Sequence, residues 1–421
     1  MASAFEGLIG KPTGCAVTDA KLLLLCEGID LDFVSIAKDF PDLKEQYKTS
    51  RSVISFRHLG VPTAYRHLMI DELILSEGQN SSVVKTYISP TATLILVSRD
   101  RELQLRRKDT ATDLPVSVNL VELDEFSRAD PGFPEKNVFL NRIGIDRIGL
   151  LPFEGCELWL DGRQCSFCGA VPKRIEEGGL PNILEAHRKY GGDYRLWWDS
   201  HRRRAIDNIQ RSFAYLCQNP PSPHFHFMLM SENLRDYDFM YEIALEISST
   251  LNSIHPLGDC DSYFNCMPPV SEDYLFKVKD AGYRSFMTNL EFIRREDFEE
   301  FCPGKQAAYK DGYGHMMSMM RNAVGVFGPG NVRTNFVLTS QQISHLKRDL
   351  PKLAESGIVP DVSIFFPRRV SRWRGKRSPG IDEVLEFSLF LARIYNRHGF
   401  RPYCCSLSSR SSILNELVRC A

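Results

Sequence analysis

Three cysteines of this chain, Cys156, Cys165 and Cys168, fall within thirteen residues at the spacing C-x8-C-x2-C. No fourth Cys or His follows at the distance that would close a four-ligand zinc site. Three thiolates suit a different centre: they can hold three irons of a four-iron, four-sulfur cluster and leave the fourth open to a substrate or cosubstrate. The Cys165-x-x-Cys168 step is tight enough for neighbouring cluster corners, and Gly155 and Gly169 let the backbone wrap closely. Two plainer readings stand beside this one. Twelve cysteines in 421 residues produce an occasional CxxC by chance, and a buried cysteine is usually a small apolar core residue. Zinc and core packing therefore stay open at this point.

Composition narrows the class of protein. A 421-residue chain can bury a large core, and its 43% apolar and 25% charged residues are ordinary for a globular protein. A net charge of -1 indicates no bulk attraction to nucleic acid or membrane. The opening residues Met1 to Glu6 carry no basic region, Leu22 to Leu25 is too short for a signal core, and no apolar run approaches a membrane span. Dispersed cysteines without a secretion signal are expected in a reducing cytoplasm.

The elements that must position the cysteine loop are legible in outline. Residues 1–145 read as a mixed, strand-rich α/β domain, with strands at Ser52–Phe56, Thr93–Val97 and Val116–Val121. The basic run Arg101 to Lys108 reads as a solvated face. From 146 onward, short apolar strands alternate with longer helical stretches, the pattern of parallel β/α units. Strands are expected over Phe225–Met230, Asp261–Met267, Arg284–Leu290, Val332–Leu338, Pro360–Phe366 and, last, near Pro402–Cys405. Helices are expected over Tyr194–Cys217, Tyr237–Leu251, Gly304–Phe327, Gln341–Glu355 and Ile381–His398. That gives about six strand–helix repeats, with polar residues at the strand C-termini, where β/α barrels build their sites.

Several of these segments, in order, resemble the radical S-adenosylmethionine (SAM) superfamily, in its biotin-synthase-like group. The resemblance covers roughly 145–421. It rests on the cysteine loop after the first strand, on Leu275–Gly282 followed by Asn289-Leu290-Glu291, on Val324–Val332, and on Phe366-Pro367 through Asn396–Phe400. Two departures concern the cofactor site. The family usually spaces its cysteines C-x3-C-x2-C, and its Gly-Gly-Glu-Pro turn stands here as Met230-Ser231-Glu232-Asn233.

The resemblance implies a partial (β/α)6 TIM-like barrel at 146–421, with a 4Fe-4S cluster on Cys156, Cys165 and Cys168 and SAM on its open iron. It implies reductive cleavage of SAM to a 5′-deoxyadenosyl radical that abstracts hydrogen from a small-molecule or peptide substrate in biosynthesis. An electron donor such as flavodoxin or ferredoxin would supply the reducing equivalent. The altered spacing leaves open cleavage of another carbon–sulfur bond, with aminocarboxypropyl or methyl transfer. Phe167 would pack near the adenine, and Ser231 and Glu232 would face the methionine ammonium. Asn289 and Glu291, on one strand face by alternation, would hold ribose hydroxyls. Arg333 shares a face with Asn335 on an interior strand, and a buried Arg needs an anion, so it is a candidate for the SAM carboxylate or a substrate carboxylate. Arg368, Arg369, Arg372, Arg374, Lys376 and Arg377 crowd one loop with Trp373. They form either an anion site or a solvated loop. The rival from another class is a zinc-stabilised module that binds RNA through that loop. Cys404-Cys405, Cys260, Cys266, Cys302 and Cys420 form no second CxxC, so no second cluster is expected.

Overall fold

The structure is a computed structural model, and it describes residues 2–47, 70, 72–122, 139–143, 146–169, 179–220, 225–367, 371–402 and 409–420. The expected strands at Ser52–Phe56 and near Pro402–Cys405, and the cations Arg368 and Arg369, lie outside these residues. The described elements form a mixed α/β fold with two sheets.

The first sheet contains β1 (Asp30–Leu31), β2 (Glu72–Glu77), β3 (Asn80–Lys85), β4 (Leu94–Arg99), β5 (Glu102–Arg107) and β6 (Ser117–Leu120), in the order β1-β4-β5-β6-β2-β3. Its pairs are antiparallel except β1 with β4. The helix Ala16–Glu27 packs against it and is buried almost all round, Lys21 included. The Lys21 ammonium bonds Glu416 at 2.8 Å and the Ser409 carbonyl at 2.7 Å, tying the start of the chain to its C-terminal helix Leu414–Cys420.

The second sheet runs β7 (Leu140–Ile143), β8 (Arg147–Leu150), β9 (His226–Met230), β10 (Asp261–Asn265), β11 (Ser285–Met287), β12 (Val332–Leu338) and β13 (Ile358–Ile364) in simple sequential order. β8 to β13 are all parallel, and β7 adds an antiparallel edge. Placing a domain boundary at 145 therefore cuts this sheet, because β7 precedes that residue and pairs with β8. Sequential order without reversal differs from a doubly wound sheet, whose ligand crevice lies where strand order turns back.

One face of the parallel strands is largely apolar. Ile148, Phe227, Leu229, Phe264, Phe286 and Phe336 are fully buried, as parallel strands under helices should be. The opposite face is mixed. Met228, Met230, Asn265, Met287, Asn289, Asn335, Asp361 and Ser363 line one cavity of about 210 Å³, together with Ile143 at the other edge and residues 409–412. Seven strands laid flat would hold their edges about 29 Å apart, so edges that share so small a cavity require a strongly curled sheet. Residues 409–412 lie along the gap: Lys85 donates to the Arg410 carbonyl at 2.8 Å and Ile364 to that of Ser411 at 3.4 Å.

Local chemistry accounts for the element ends. The long helix Tyr194–Gln218 starts where Asp193 accepts from the Leu196 amide at 2.9 Å. The expected single helix over Gly304–Phe327 is instead two, Pro303–Ala307 and Gly312–Phe327. Asp311 starts the second by accepting from the Gly314 amide at 3.1 Å. The strand expected to reach Leu290 ends at Met287, and the Leu290 amide then donates to Thr334 Oγ1 at 2.9 Å instead of continuing the ladder.

Candidate functional site

The cysteine loop leaves the C-terminal end of β8 and is fastened to three neighbouring segments. Gly155 adopts φ +105°, and a Cβ added there would fall inside the Ile183 side chain. Gly155→Ala is expected to lose about 2–4 kcal/mol of stability from backbone strain and overpacking, readable as a lower urea midpoint. Cys156 then precedes the short helix Glu157–Leu160, whose Glu157 amide donates to the Asn233 carbonyl at 2.9 Å. The Glu157 carboxylate is buried, accepting from the Arg235 amide at 2.6 Å and from the Tyr194 hydroxyl, with His187 Nε2 at 3.2 Å. These bonds staple the loop to the turn after β9.

That turn faces Cys156. Asn233 Nδ2 donates to Cys156 Sγ at 3.2 Å, and Glu232 lies within electrostatic reach of the same sulfur. Burial pushes the Cys156 thiol up to about 11, opposed by the Asn233 hydrogen bond. Ser231 takes a different course from the expected one, pointing its hydroxyl at Met240 Sδ, 2.8 Å away, with Cys266 alongside.

Cys165 lies within electrostatic reach of Cys156, and the Cys168 amide donates to the Cys165 carbonyl at 3.0 Å. The loop also pairs with the segment entering the helix Pro303–Ala307. Gly304 donates to the Arg163 carbonyl at 3.0 Å and Ser166 to that of Phe301 at 2.8 Å. A fourth thiol, Cys302, is thereby brought against Cys165. The Cys302 hydrogen bond holds the Cys165 thiol below its ordinary range against the opposing effect of burial, and Lys305 adds to the lowering. Burial disfavours the Lys305 ammonium, but Glu291, Cys165 and Cys302 around it keep its pKa above the ordinary lysine value.

The sequence gives no sign that Cys302, Lys305 or Tyr237 belongs to this site; the Tyr237 hydroxyl is within electrostatic reach of Cys156, Cys165 and Lys305. None carries a motif. What places them is packing between segments more than a hundred residues apart for Cys302 and Lys305, and about seventy to eighty for Tyr237.

Asn289 and Glu291 do not share a face. Glu291 has φ +68°, an uncommon conformation for a residue with a Cβ. Its backbone is held by Asn335 and Val337 on β12 and by Gln342 Nε2. The kink turns its carboxylate to Lys305 Nζ at 2.8 Å, so Glu291 is engaged in a buried ion pair. Asn289 lines the cavity, with its Oδ1 buried and without a hydrogen-bond partner.

Arg333 lies apart from this group. It is the second residue of β12, about 16 Å along the strand from the C-terminal end where the cysteine loop packs. The anion its burial requires is internal: Nε and Nη2 bond the two Asp361 oxygens at 2.7 and 2.8 Å, with Tyr395 Oη at 3.1 Å from Nη2. Half-buried Phe167 joins an aromatic group, its ring 5.9 Å from Phe292 and 6.1 Å from Trp373. The described part of the arginine-rich loop lies on the cysteine loop. The Trp373 amide donates to the Ser166 carbonyl at 3.0 Å, Arg372 bonds the Gly162 carbonyl, and Lys376 sits 3.9 Å from the Trp373 ring centre.

Among the described residues, no three His, Cys, Asp or Glu side chains are placed to share one metal ion. A tetrahedral zinc would hold its sulfurs about 3.8 Å apart. A cubane spreads its thiolates over separate corners, farther apart than the ligands of one ion. The donor set, three soft thiols on one wrapped loop with an amide donating to one sulfur, is of the kind that an iron–sulfur cluster takes.

No family model and no curated protein matches the sequence. Among solved structures, the X-ray structure of the FeFe-hydrogenase maturase HydG from Carboxydothermus hydrogenoformans aligns at 14% identity and a TM-score of 0.38, over 59% of this chain and 51% of that one. The match thus spans about half of the maturase, and a superposition that loose carries no argument about this chain. Among the described residues, no helix is long and apolar enough to cross a membrane.

Proposed function

We propose that this chain is a radical SAM enzyme with a partial (β/α)6 barrel at its core. The observation that carries the reading is the gathering of the cysteine loop with the turns after β9 and β11 at one end of a curled, sequentially ordered parallel sheet. That is the end at which β/α barrels place their chemistry. Cys156, Cys165 and Cys168 would hold a 4Fe-4S cluster. When bound, the cluster would supply the electron that cleaves a carbon–sulfur bond of SAM.

The remaining residues bind and orient. Glu232 beside Cys156 offers an acceptor to an ammonium group, and Ser231 contributes its backbone to the same turn. Asn289 Oδ1, buried and unpartnered, suits a hydroxyl donor such as a ribose. Phe167 and its aromatic neighbours would help keep water from the loop. Lys305 would neutralise part of the negative charge of the thiolates. The substrate, a small molecule or a peptide, would occupy the methionine- and asparagine-lined cavity. Arg163, Arg372, Arg374, Lys376 and Arg377, exposed on the loops bearing the cysteines and Trp373, would attract an acidic electron donor such as flavodoxin or ferredoxin.

The zinc-stabilised RNA module has less support. No three ligands converge on one ion among the described residues, and Trp373 fixes the described part of the arginine loop onto the cysteine loop.

Anaerobic loading with iron and sulfide tests the proposal. It should give about four of each per chain and a brown protein. Reduction in the presence of SAM should then release 5′-deoxyadenosine, whereas 5′-methylthioadenosine would indicate cleavage of the other bond. One zinc per chain and no iron uptake would overturn the reading.

A further inference from the structure

The pairing of the cysteine loop with the segment before the helix Pro303–Ala307 has a consequence for two thiols. The bonds Gly304 to Arg163 and Ser166 to Phe301 bracket a short antiparallel crossing. Counting inward from either bond brings Cys165 opposite Cys302, and their thiols are in hydrogen-bond contact. Thiols in hydrogen-bond contact need only a small side-chain rotation to reach the S–S bond length of about 2.05 Å. Sulfurs this close cannot occupy separate corners of one cubane, so Cys302 is not its fourth ligand.

We propose that Cys165 and Cys302 are a disulfide-forming pair, and that oxidation of the pair and metal ligation by Cys165 exclude each other. A sulfur in a disulfide has no thiolate to give a metal. The oxidant is a peroxide, small enough to reach a sulfur whose residue is 8% exposed, while Cys302 is fully buried. The Cys165 thiolate attacks one peroxide oxygen, the O–O bond breaks, and the released hydroxide takes a proton to leave as water. Cys302 then attacks the resulting sulfenic sulfur, forming S–S and breaking S–O, and a second water departs. Two thiols and one hydrogen peroxide thus give one disulfide and two waters. The lost iron uptake rests on the cluster reading above, whereas the disulfide does not.

The test uses the full chain, reduced, stripped of metal with a chelator, exposed to hydrogen peroxide, alkylated and mapped by mass spectrometry without reductant. A linked Cys165–Cys302 peptide is expected, with alkylation of both residues lowered at least about tenfold and restored by dithiothreitol. Subsequent anaerobic loading should put at least about tenfold less iron into the oxidised protein than into the reduced one. Cys302→Ala and Cys302→Ser, checked by circular dichroism, should give no linked peptide and leave Cys165 as a sulfenic acid trapped by dimedone. Peroxide treatment that leaves both thiols alkylatable, or that links Cys165 to Cys156 or Cys168, overturns the pair. A disulfide in a protein that binds iron in neither state leaves the pair standing and overturns the cluster.

Discussion

Cys165→Ala is expected to abolish cluster uptake: iron and sulfide should fall from about four each per chain to under one, with loss of the brown colour. Cys165 is the pivot of the loop. It lies within reach of Cys156, its carbonyl accepts from the Cys168 amide, its thiol meets that of Cys302, and Lys305 is within electrostatic reach. Cys156→Ala and Cys168→Ala should act likewise, because a cubane held by two thiolates has two open corners. Cys26→Ala, at a buried cysteine in the first sheet's helix, should keep the full iron content. If Cys165→Ala retains four irons while its circular dichroism is native, the three-cysteine centre is wrong.

Asp361→Ala should destabilise the fold by about 3–5 kcal/mol, since it leaves the Arg333 guanidinium buried without its anion. The melting temperature should drop by roughly 5–15 °C. The double variant Arg333→Met/Asp361→Leu removes both charges and should recover most of that loss, because an apolar pair of similar volume avoids desolvating either ion. Equal destabilisation in the single and the double variant would show that the ion pair is not what Arg333 contributes.

The cavity above this pair is built by the curl of the sheet. Met228, Met230 and Met287 give it a soft apolar surface, while Asn265 ends β10, Asn289 follows β11 and Asn335 lies midway along β12. A ligand there would meet polarizable sulfur on one side and amides on the other. That combination suits a molecule with an apolar body and hydrogen-bonding edges.

The sequence by itself determined that most of the second sheet is built of parallel β/α units, but neither its strand order nor its antiparallel edge β7. Apolar runs such as Phe227-Met228-Leu229 and Val332–Leu338, separated by amphipathic helices, are the pattern of parallel strands joined by crossover helices. It also determined the ligand loop, because three thiols within thirteen residues are a local fact. Only the tertiary structure decided the rest. Arg333 was legible as a buried cation in need of an anion, but Asp361 lies on the next strand, and no local pattern names a cross-strand partner. The alternation that would put Asn289 and Glu291 on one face holds only while the strand lasts, and β11 ends at Met287. Cys302 and Lys305 reach Cys165 because two loops about 140 residues apart cross antiparallel. Contacts of that kind depend on how elements pack, and spacing along the chain does not encode them.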